Sequence, residues 1–145
     1  MRFDQFTVKA QEAVVRAQEL AQQKDHAEIT PMHLLAALLS EEDGVVGPLV
    51  GKIGANAKRL GQLVDGELDR LAKATGTQTG MSRGTQDVFA AAQKEADRLK
   101  DEYVSTEHLM LALAGVKSDA KELLALNGGY ATLYRAASGT GVVPV

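Results

Sequence analysis

The histidines of this sequence are its most chemically versatile side chains, since an imidazole can act as a base or bind a metal. His33 and His108 occupy the same place in two copies of a short motif, [TS]-x-x-H-L, which reads TPMHL and STEHL. A zinc site needs three or four converging ligands, and two equivalent positions in separate segments do not supply them. Each histidine instead lies three residues after a Thr or Ser that can cap a helix, where its ring can bond the preceding loop backbone. We therefore expect both histidines to be structural.

Other arrangements typical of catalysis are missing from the sequence. It has no cysteine, which excludes a thiolate nucleophile, a thiolate zinc site and a disulfide framework. It has neither a G-x-x-x-x-G-K-[ST] phosphate loop nor a G-x-S-x-G nucleophile elbow. Ser82, Ser105 and Ser138 have no evident base and acid partners, and the acidic run at 41–43 is typical of a solvated loop. The sequence predicts a protein that is not an enzyme, with no cofactor and no metal in this chain.

The composition describes an ordinary globular chain. The sequence has 145 residues, of which 45% are hydrophobic and only 4% aromatic, so the core must be aliphatic. The formal charge is −3 and no basic face is evident, which argues against nucleic acid as a partner. No apolar stretch approaches the roughly 18 residues of a membrane span, and the start of the chain lacks the apolar core of a signal peptide. We expect a monomeric cytoplasmic domain with no membrane partner.

The chain contains an internal repeat. The two histidine motifs are 75 residues apart, and the same register extends without a gap over 33 pairs, from Thr7 against Ser82 to Leu39 against Ala114. Eight of these pairs are identical, whereas random pairing in such an Ala- and Leu-rich chain would give about two or three. Shared helical composition could produce some of this match, but a gapless register over a helix, a loop and a second helix favours duplication.

Hydrophobic spacing and capping residues predict four helices in each repeat and no strands. Thr7, Thr30, Asn56 and Ser105 are predicted helix caps, and Pro31 suits a first helical position. The predicted helices of the first repeat (1–73) are about 8–24, 31–39, 49–53 and 57–73. A Gly/Thr-rich linker at 74–81 follows. The predicted helices of the second repeat (82–137) are about 84–100, 106–114, 119–126 and 130–137, before a loose tail at 138–145. The two repeats should share one core as a single all-α domain.

The aromatic and aliphatic side chains near the first helix have two possible roles. Phe3, Phe6 and Val8 precede or begin that helix. They could pack as a hydrophobic staple and a lid on the core, or they could line an apolar groove between the repeats. Such a groove is a common docking place for an extended or helical peptide. The spacing alone leaves both roles open.

Longer segments carry a resemblance to a known family. FTVKAQEAVVRAQELA, HAEITPMHLLAALLSEEDGVVGPL and EADRLKDEYVSTEHLMLAL resemble the Clp N-terminal domain, and KDEYVSTEHL is especially similar to ClpB-type protein disaggregases. The likeness runs from Met1 to about Leu126. It implies two tandem four-helix Clp repeats in a pseudo-two-fold arrangement, tethered to a hexameric ring that uses ATP and Mg²⁺.

The resemblance also implies a role and a site. The role is recognition of unfolded or aggregated polypeptides, which are handed to the ring for disaggregation during stress. The residues that match the family's substrate-handling positions are Thr7, Asp101 and Glu107. Thr7 and Glu107 lie at predicted helix starts, so they can also be structural. The segment around Gly128 departs from the family pattern, and no ATPase domain follows in this chain.

Three functional hypotheses therefore stand. The first is substrate recognition for a disaggregase, with weak binding of non-native chains at the seam between the repeats. The second is an adaptor-docking domain of a protease-linked Clp ATPase of the ClpA or ClpC type. The third is a small helical enzyme, which metal and nucleotide assays would reject.

Overall fold

A computed structural model describes residues 3–74 and 78–138, and within these ranges it contains eight α-helices and one two-stranded parallel sheet. The helices are α1 (Val8–Gln23), α2 (Pro31–Leu39), α3 (Val46–Lys52), α4 (Ala57–Asp69), α5 (Arg83–Arg98), α6 (Thr106–Gly115), α7 (Asp119–Ala125) and α8 (Gly129–Ser138). The strands are β1 (Glu28–Ile29) and β2 (Gly80–Met81). The all-α class with four helices per repeat is confirmed, and the two short strands are an addition to it.

Helix starts follow the capping chemistry that the sequence predicts. The hydroxyl of Thr7 accepts the backbone N–H of Ala10, and the side-chain oxygen of Asn56 accepts that of Arg59. Pro31 is the first residue of α2, where its missing N–H leaves no donor unsatisfied. These side chains satisfy amide groups that have no partner within the helix, and they fix where each helix begins.

The core forms around α2 and α6, which are buried on nearly every side. Ala10, Ala13, Ala17 and Ala21 give α1 a flat, fully buried face, which lets α1 approach α2 closely. Helix α5 packs against α6 with a mixed buried face that includes Val88, Phe89 and Ala92, and α2 also contacts α6 directly. The two repeats therefore share one hydrophobic core, because the most apolar helix of each lies against that of the other.

Pseudo-two-fold symmetry is visible in the backbone at the 75-residue offset. Ile29 pairs with Met81 in the short sheet, and the equivalent positions, Val104 and Phe6, form a second parallel bridge. Asp25 and its equivalent, Lys100, both adopt left-handed backbone conformations, with φ of 58° and 59°. Duplication thus extends to the turn that follows the first helix of each repeat.

Several predicted boundaries differ from the structure. Helix α4 ends at Asp69 rather than near residue 73, and the N–H of Ala74 instead bonds the carbonyl of Asp25 at 2.8 Å. The last two residues of the predicted linker form β2, while residues 75–77 lie outside the described part of the chain. Helix α8 includes Ser138, the first residue of the predicted tail, and the rest of that tail is outside the described residues.

Candidate functional site

Thr7 lies where the first repeat meets the second. Its backbone N–H donates to the carbonyl of Val104 at 2.9 Å, and the N–H of Val104 donates to the carbonyl of Gln5 at 2.9 Å. Because Val104 lies midway between Asp101 and Glu107 in the sequence, these bonds bring all three predicted site residues into one region. We call this region, residues 3–8 together with 101–107, the inter-repeat seam.

Asp101 is held in place by the histidine of the second repeat. Its Oδ2 lies 2.8 Å from Nε2 of His108, and its side chain is 52% exposed. The backbone N–H of Ser105 donates to Nδ1 of His108 at 2.8 Å. Since that amide can only donate, Nδ1 is the acceptor, and Nε2 carries the proton that is given to Asp101. The carboxylate is therefore fixed in orientation while much of its surface faces solvent.

Glu107 is half-buried in the first turn of α6. Its carboxylate has no hydrogen bond or ion pair with other residues in the described ranges, and its position near a helix N-terminus is electrostatically favourable. Glu107 thus lies at a favourable helix end, and no side chain in the described part of the chain neutralises its charge.

Apolar side chains are exposed at the same seam. Val8 is 70% exposed, Tyr103 is 51% exposed and Phe3 is 39% exposed. Phe6 is instead buried, and its ring packs edge-on against Phe89 with centroids 5.7 Å apart. The two roles left open by the sequence are therefore divided: Phe6 closes the core and Val8 faces solvent. Phe3 does both, since its ring packs edge-on against Phe6 and Phe89 while part of it stays exposed.

The equivalent seam on the other side of the pseudo-two-fold axis has different chemistry. There the N–H of Ser82 donates to the carbonyl of Ile29 at 3.1 Å, as Thr7 does to Val104. However, Val8 is replaced by Arg83 and Glu107 by Met32, which is buried. The backbone frame is duplicated, but the exposed apolar side chains Val8 and Tyr103 of the first seam correspond to the charged Arg83 and the exposed Glu28 at the second.

His26 is a partner that the sequence reasoning did not identify. Its Nδ1 lies 2.8 Å from Nε2 of His33, whose Nδ1 accepts the N–H of Thr30 at 2.9 Å. Burial lowers the pKa of His33 to about 4, with smaller contributions from His26 and Lys24. Burial also lowers the pKa of His26. His26 is equivalent to Asp101 at the 75-residue offset, and that alignment was the signal that could have revealed the pair.

A cavity of about 440 Å³ lies between α5, α6 and the start of α8. The buried carboxylate of Glu95 lines this cavity. It accepts a hydrogen bond from the hydroxyl of Tyr130 at 2.7 Å and forms an ion pair with Arg98 at 2.8 Å. Burial, followed by the hydrogen bond to Glu95, raises the pKa of Tyr130 to about 12. These groups satisfy one another, so the arrangement stabilises the end of the second repeat.

The described residues contain neither a metal-type cluster of side chains nor a membrane-spanning helix. Within 3–74 and 78–138, no three His, Cys, Asp or Glu side chains come together as a metal site. In the same ranges no helix is long and apolar enough to cross a bilayer. The predicted structural role of His33 and His108 is confirmed by their bonds to the loop backbone.

A family model describes this combination of duplicated helices and paired motifs. The model of the Clp repeat N-terminal domain matches residues 5–127. The chain belongs to the Clp repeat N-terminal domain family. Among curated relatives, this Clp N-terminal domain is 41% identical over 128 residues to the chaperone protein ClpB of Rhodopirellula baltica, covering 88% of this chain and 14% of that protein. It is thus a ClpB-like domain that spans about one seventh of the length of the curated relatives it matches.

Solved structures share the fold of this Clp N-terminal domain. The Hsp104 N-terminal domain from Candida albicans aligns with a TM-score of 0.79 at 24% identity, covering 91% of this chain and 88% of that one. The N-terminal domain of the chaperone ClpD from Arabidopsis thaliana aligns with a TM-score of 0.72 at 26% identity, covering 94% and 96%. The predicted Clp N-terminal domain fold is therefore confirmed.

Proposed function

We propose that this domain recognises unfolded or aggregated polypeptides for a ClpB-type ATP-dependent chaperone in the cytoplasm and passes them to a hexameric ATPase ring. In this proposal the domain itself is not catalytic, and the ring carries the ATP and Mg²⁺. The observation that carries the proposal is the exposure of Val8 and Tyr103 on either side of the bond between Thr7 and Val104.

The chemistry of the seam supports binding of non-native chains. An unfolded chain presents apolar side chains that a native protein buries, and exposed valine, tyrosine and phenylalanine can remove some of that surface from water. The seam is small, so the hydrophobic gain is modest and the expected affinity is weak, in the high micromolar range. Weak binding suits a domain that must release its substrate to a ring.

Single-site binding is a specific consequence of the proposal. The second seam carries Arg83 and a buried Met32 in place of Val8 and Glu107. A positively charged, well-solvated arginine gives an apolar segment little to pack against. We therefore expect one seam per domain to bind unfolded chains.

Amide NMR with reduced, carboxymethylated α-lactalbumin as the unfolded probe tests this proposal. The expected result is a set of shifts confined to residues 3–8 and 101–107 that saturates as one site. The same titration with native α-lactalbumin is the control and should leave the spectrum unchanged. Absence of shifts at millimolar probe, or shifts centred on the second seam, would contradict the proposal.

Docking of a folded adaptor, as in ClpA- or ClpC-type proteins, is the alternative. It predicts tight binding of a native partner at one-to-one stoichiometry and indifference to unfolded chains. The α-lactalbumin titration separates the two, since only substrate recognition predicts saturable shifts with the unfolded form.

A further inference from the structure

A second surface, on another side of the molecule, lies between α4 and α7. Three neighbouring cavities of about 270, 290 and 480 Å³ follow one another along these helices. We call this surface the α4–α7 groove, and we call its two sides the α4 bank and the α7 bank. The α4 bank consists of Arg59, Leu63 and Glu67, and the α7 bank consists of Asp119, Glu122 and Leu126, the last of which caps the end of α7.

The α4 bank is a stripe beside the face that α4 buries. Leu60, Val64 and Leu68 are buried in the core, and the groove residues precede each of them by one position. One residue corresponds to about 100° around a helix, so this second stripe lies next to the core without being covered by it. Leu63 on this stripe is 48% exposed. Helix α4 thus presents an additional apolar position to solvent.

The α7 bank has the same character. Asp119, Glu122 and Leu126 recur at helical spacing, while Ala120 and Leu124 face the core. Leu126 is 71% exposed, the highest exposure among the large hydrophobic residues that the structure describes. Each bank therefore places one solvent-exposed leucine beside the groove.

The pseudo-two-fold axis relates the α4–α7 groove to a pair of helices that pack against each other. The counterpart of the α4–α7 pair is α8 with α3, and those two helices pack against each other. Helices α4 and α7 make no comparable packing contact in the described residues. The apolar surface between α3 and α8 is therefore buried, whereas the equivalent surface between α4 and α7 is left uncovered.

The charges of the groove identify the chemistry of an occupant. The central cavity is lined by three carboxylates, from Glu67, Asp119 and Glu122, together with Met32, Leu123 and Leu126, and by no cationic side chain. Arg70, which pairs with Glu67 at 2.7 Å, lines the neighbouring cavity instead. Asp119 and Glu122 have no ionic partner among the described residues. A ligand that covers the leucines therefore meets these two unpaired carboxylates, so it should be both apolar and cationic.

We propose that the α4–α7 groove docks a cationic amphipathic helix of a partner protein, with leucine-like side chains over Leu63 and Leu126 and lysine or arginine beside Glu122. The α4 bank from Arg59 to Arg70 extends about 17 Å, which matches roughly three helical turns. A helix laid in a groove between two helices is an established way to bury an apolar stripe. This docking does not depend on the function proposed for the inter-repeat seam, since the two surfaces share no residue.

A synthetic 14-residue leucine–lysine helix is the probe for this proposal. Its dissociation constant is measured by fluorescence anisotropy, and its site is mapped by amide NMR shifts on the intact domain. The expected result is saturable binding with shifts along α4 and α7, and no binding of the matched leucine–glutamate peptide. The double variant L63K/L126K should weaken binding by at least about tenfold, because it removes apolar contact and adds positive charge.

Matched controls separate the groove from general attraction to an acidic protein. The double variant V15K/V45K makes the same replacements at two exposed valines outside the groove and should change the dissociation constant less than about twofold. Glu122→Gln should weaken binding more than Glu12→Gln on α1. The proposal is overturned by equal losses in the two double variants, or by shifts confined to residues 3–8 and 101–107. It is also overturned by no binding at millimolar peptide, or by sedimentation showing a dimer of this chain that L63K/L126K abolishes.

Discussion

Nε2 of His33 lies 2.8 Å from Nδ1 of His26, and both rings are buried. The second repeat has the same frame, but Asp101 takes the place of His26 and contacts His108. In both repeats the backbone amide of the capping residue holds the histidine Nδ1 as an acceptor. The first repeat therefore depends on a neutral imidazole, because among the described residues no carboxylate contacts His33 to stabilise a second proton.

Acid should destabilise this domain through His33. The pKa of His33 is lowered from 6.5 to about 4 in the folded state, so between these values the unfolded chain binds more protons than the folded one. The histidine's contribution is fully present above pH 6.5 and is lost as the pH falls toward 4. The loss should reach about 3 kcal/mol, measured by urea unfolding across that range.

Replacing His26 with aspartate tests the cause of this acid sensitivity. His26→Asp recreates the pair found in the second repeat, and a carboxylate beside His33 favours its protonated form. The variant should lose less stability than the wild type between pH 6.5 and 4. Equal losses in the two proteins would show that the histidine pair is not the source.

Tyr130→Phe should lower the free energy of unfolding by about 1–3 kcal/mol. The change removes the hydroxyl that donates to Glu95, and it leaves a buried carboxylate with one partner fewer. Tyr103→Phe is the matched control and should change stability little, since its side chain is 51% exposed. Thermal and urea denaturation measure both, and similar effects in the two variants would contradict the assigned role of Tyr130.

Thr7→Ala and Ser82→Ala should each cost about 1 kcal/mol of stability, because both remove a cap from the first helix of a repeat. Thr7→Ser keeps the hydroxyl and should behave as the wild type. If Thr7→Ala left urea unfolding unchanged, the capping role of this residue would be wrong. If Thr7→Ser also weakened binding of unfolded α-lactalbumin, the threonine methyl group would itself be part of the binding surface.

Gly66→Ala should stabilise the domain by about 0.5–1 kcal/mol. Gly66 lies inside α4 with open space around its Cα, so alanine adds helix propensity without a clash. Gly54→Ala is the opposite case, because φ of 81° is a conformation that a Cβ disfavours. Melting temperatures should therefore move in opposite directions, and a shift of both variants in one direction would contradict this description.

Much of the fold could be predicted because local signals agree. Caps, helical periodicity and the 75-residue repeat all indicate the same eight helices, and the capping position of His33 and His108 follows from spacing alone. Which exposed residues share a surface could not be predicted in this way. The stripe containing Leu63 is exposed because α4 and α7 do not pack together, and that depends on the global arrangement rather than on the sequence of either helix.

The seam was only partly accessible from the sequence for a similar reason. The resemblance to Clp domains indicated Thr7, Asp101 and Glu107, but no periodic pattern shows that Val104 bonds the backbone on both sides of Phe6. Nor does spacing show that Phe6 is buried while Val8 is exposed. Those facts follow from tertiary packing between the start of α1 and the loop before α6.

The affinity of the seam for an unfolded chain tests the proposed function most directly. Fluorescence anisotropy of labelled, reduced and carboxymethylated α-lactalbumin gives the dissociation constant for the wild type and two double variants. V8S/Y103S removes exposed apolar side chains at the seam, and V15S/V45S removes exposed valines elsewhere. We predict that V8S/Y103S weakens binding by at least about tenfold and that V15S/V45S changes it less than about twofold. Equal effects of the two variants, or unchanged affinity in V8S/Y103S, would contradict recognition of non-native chains at this seam.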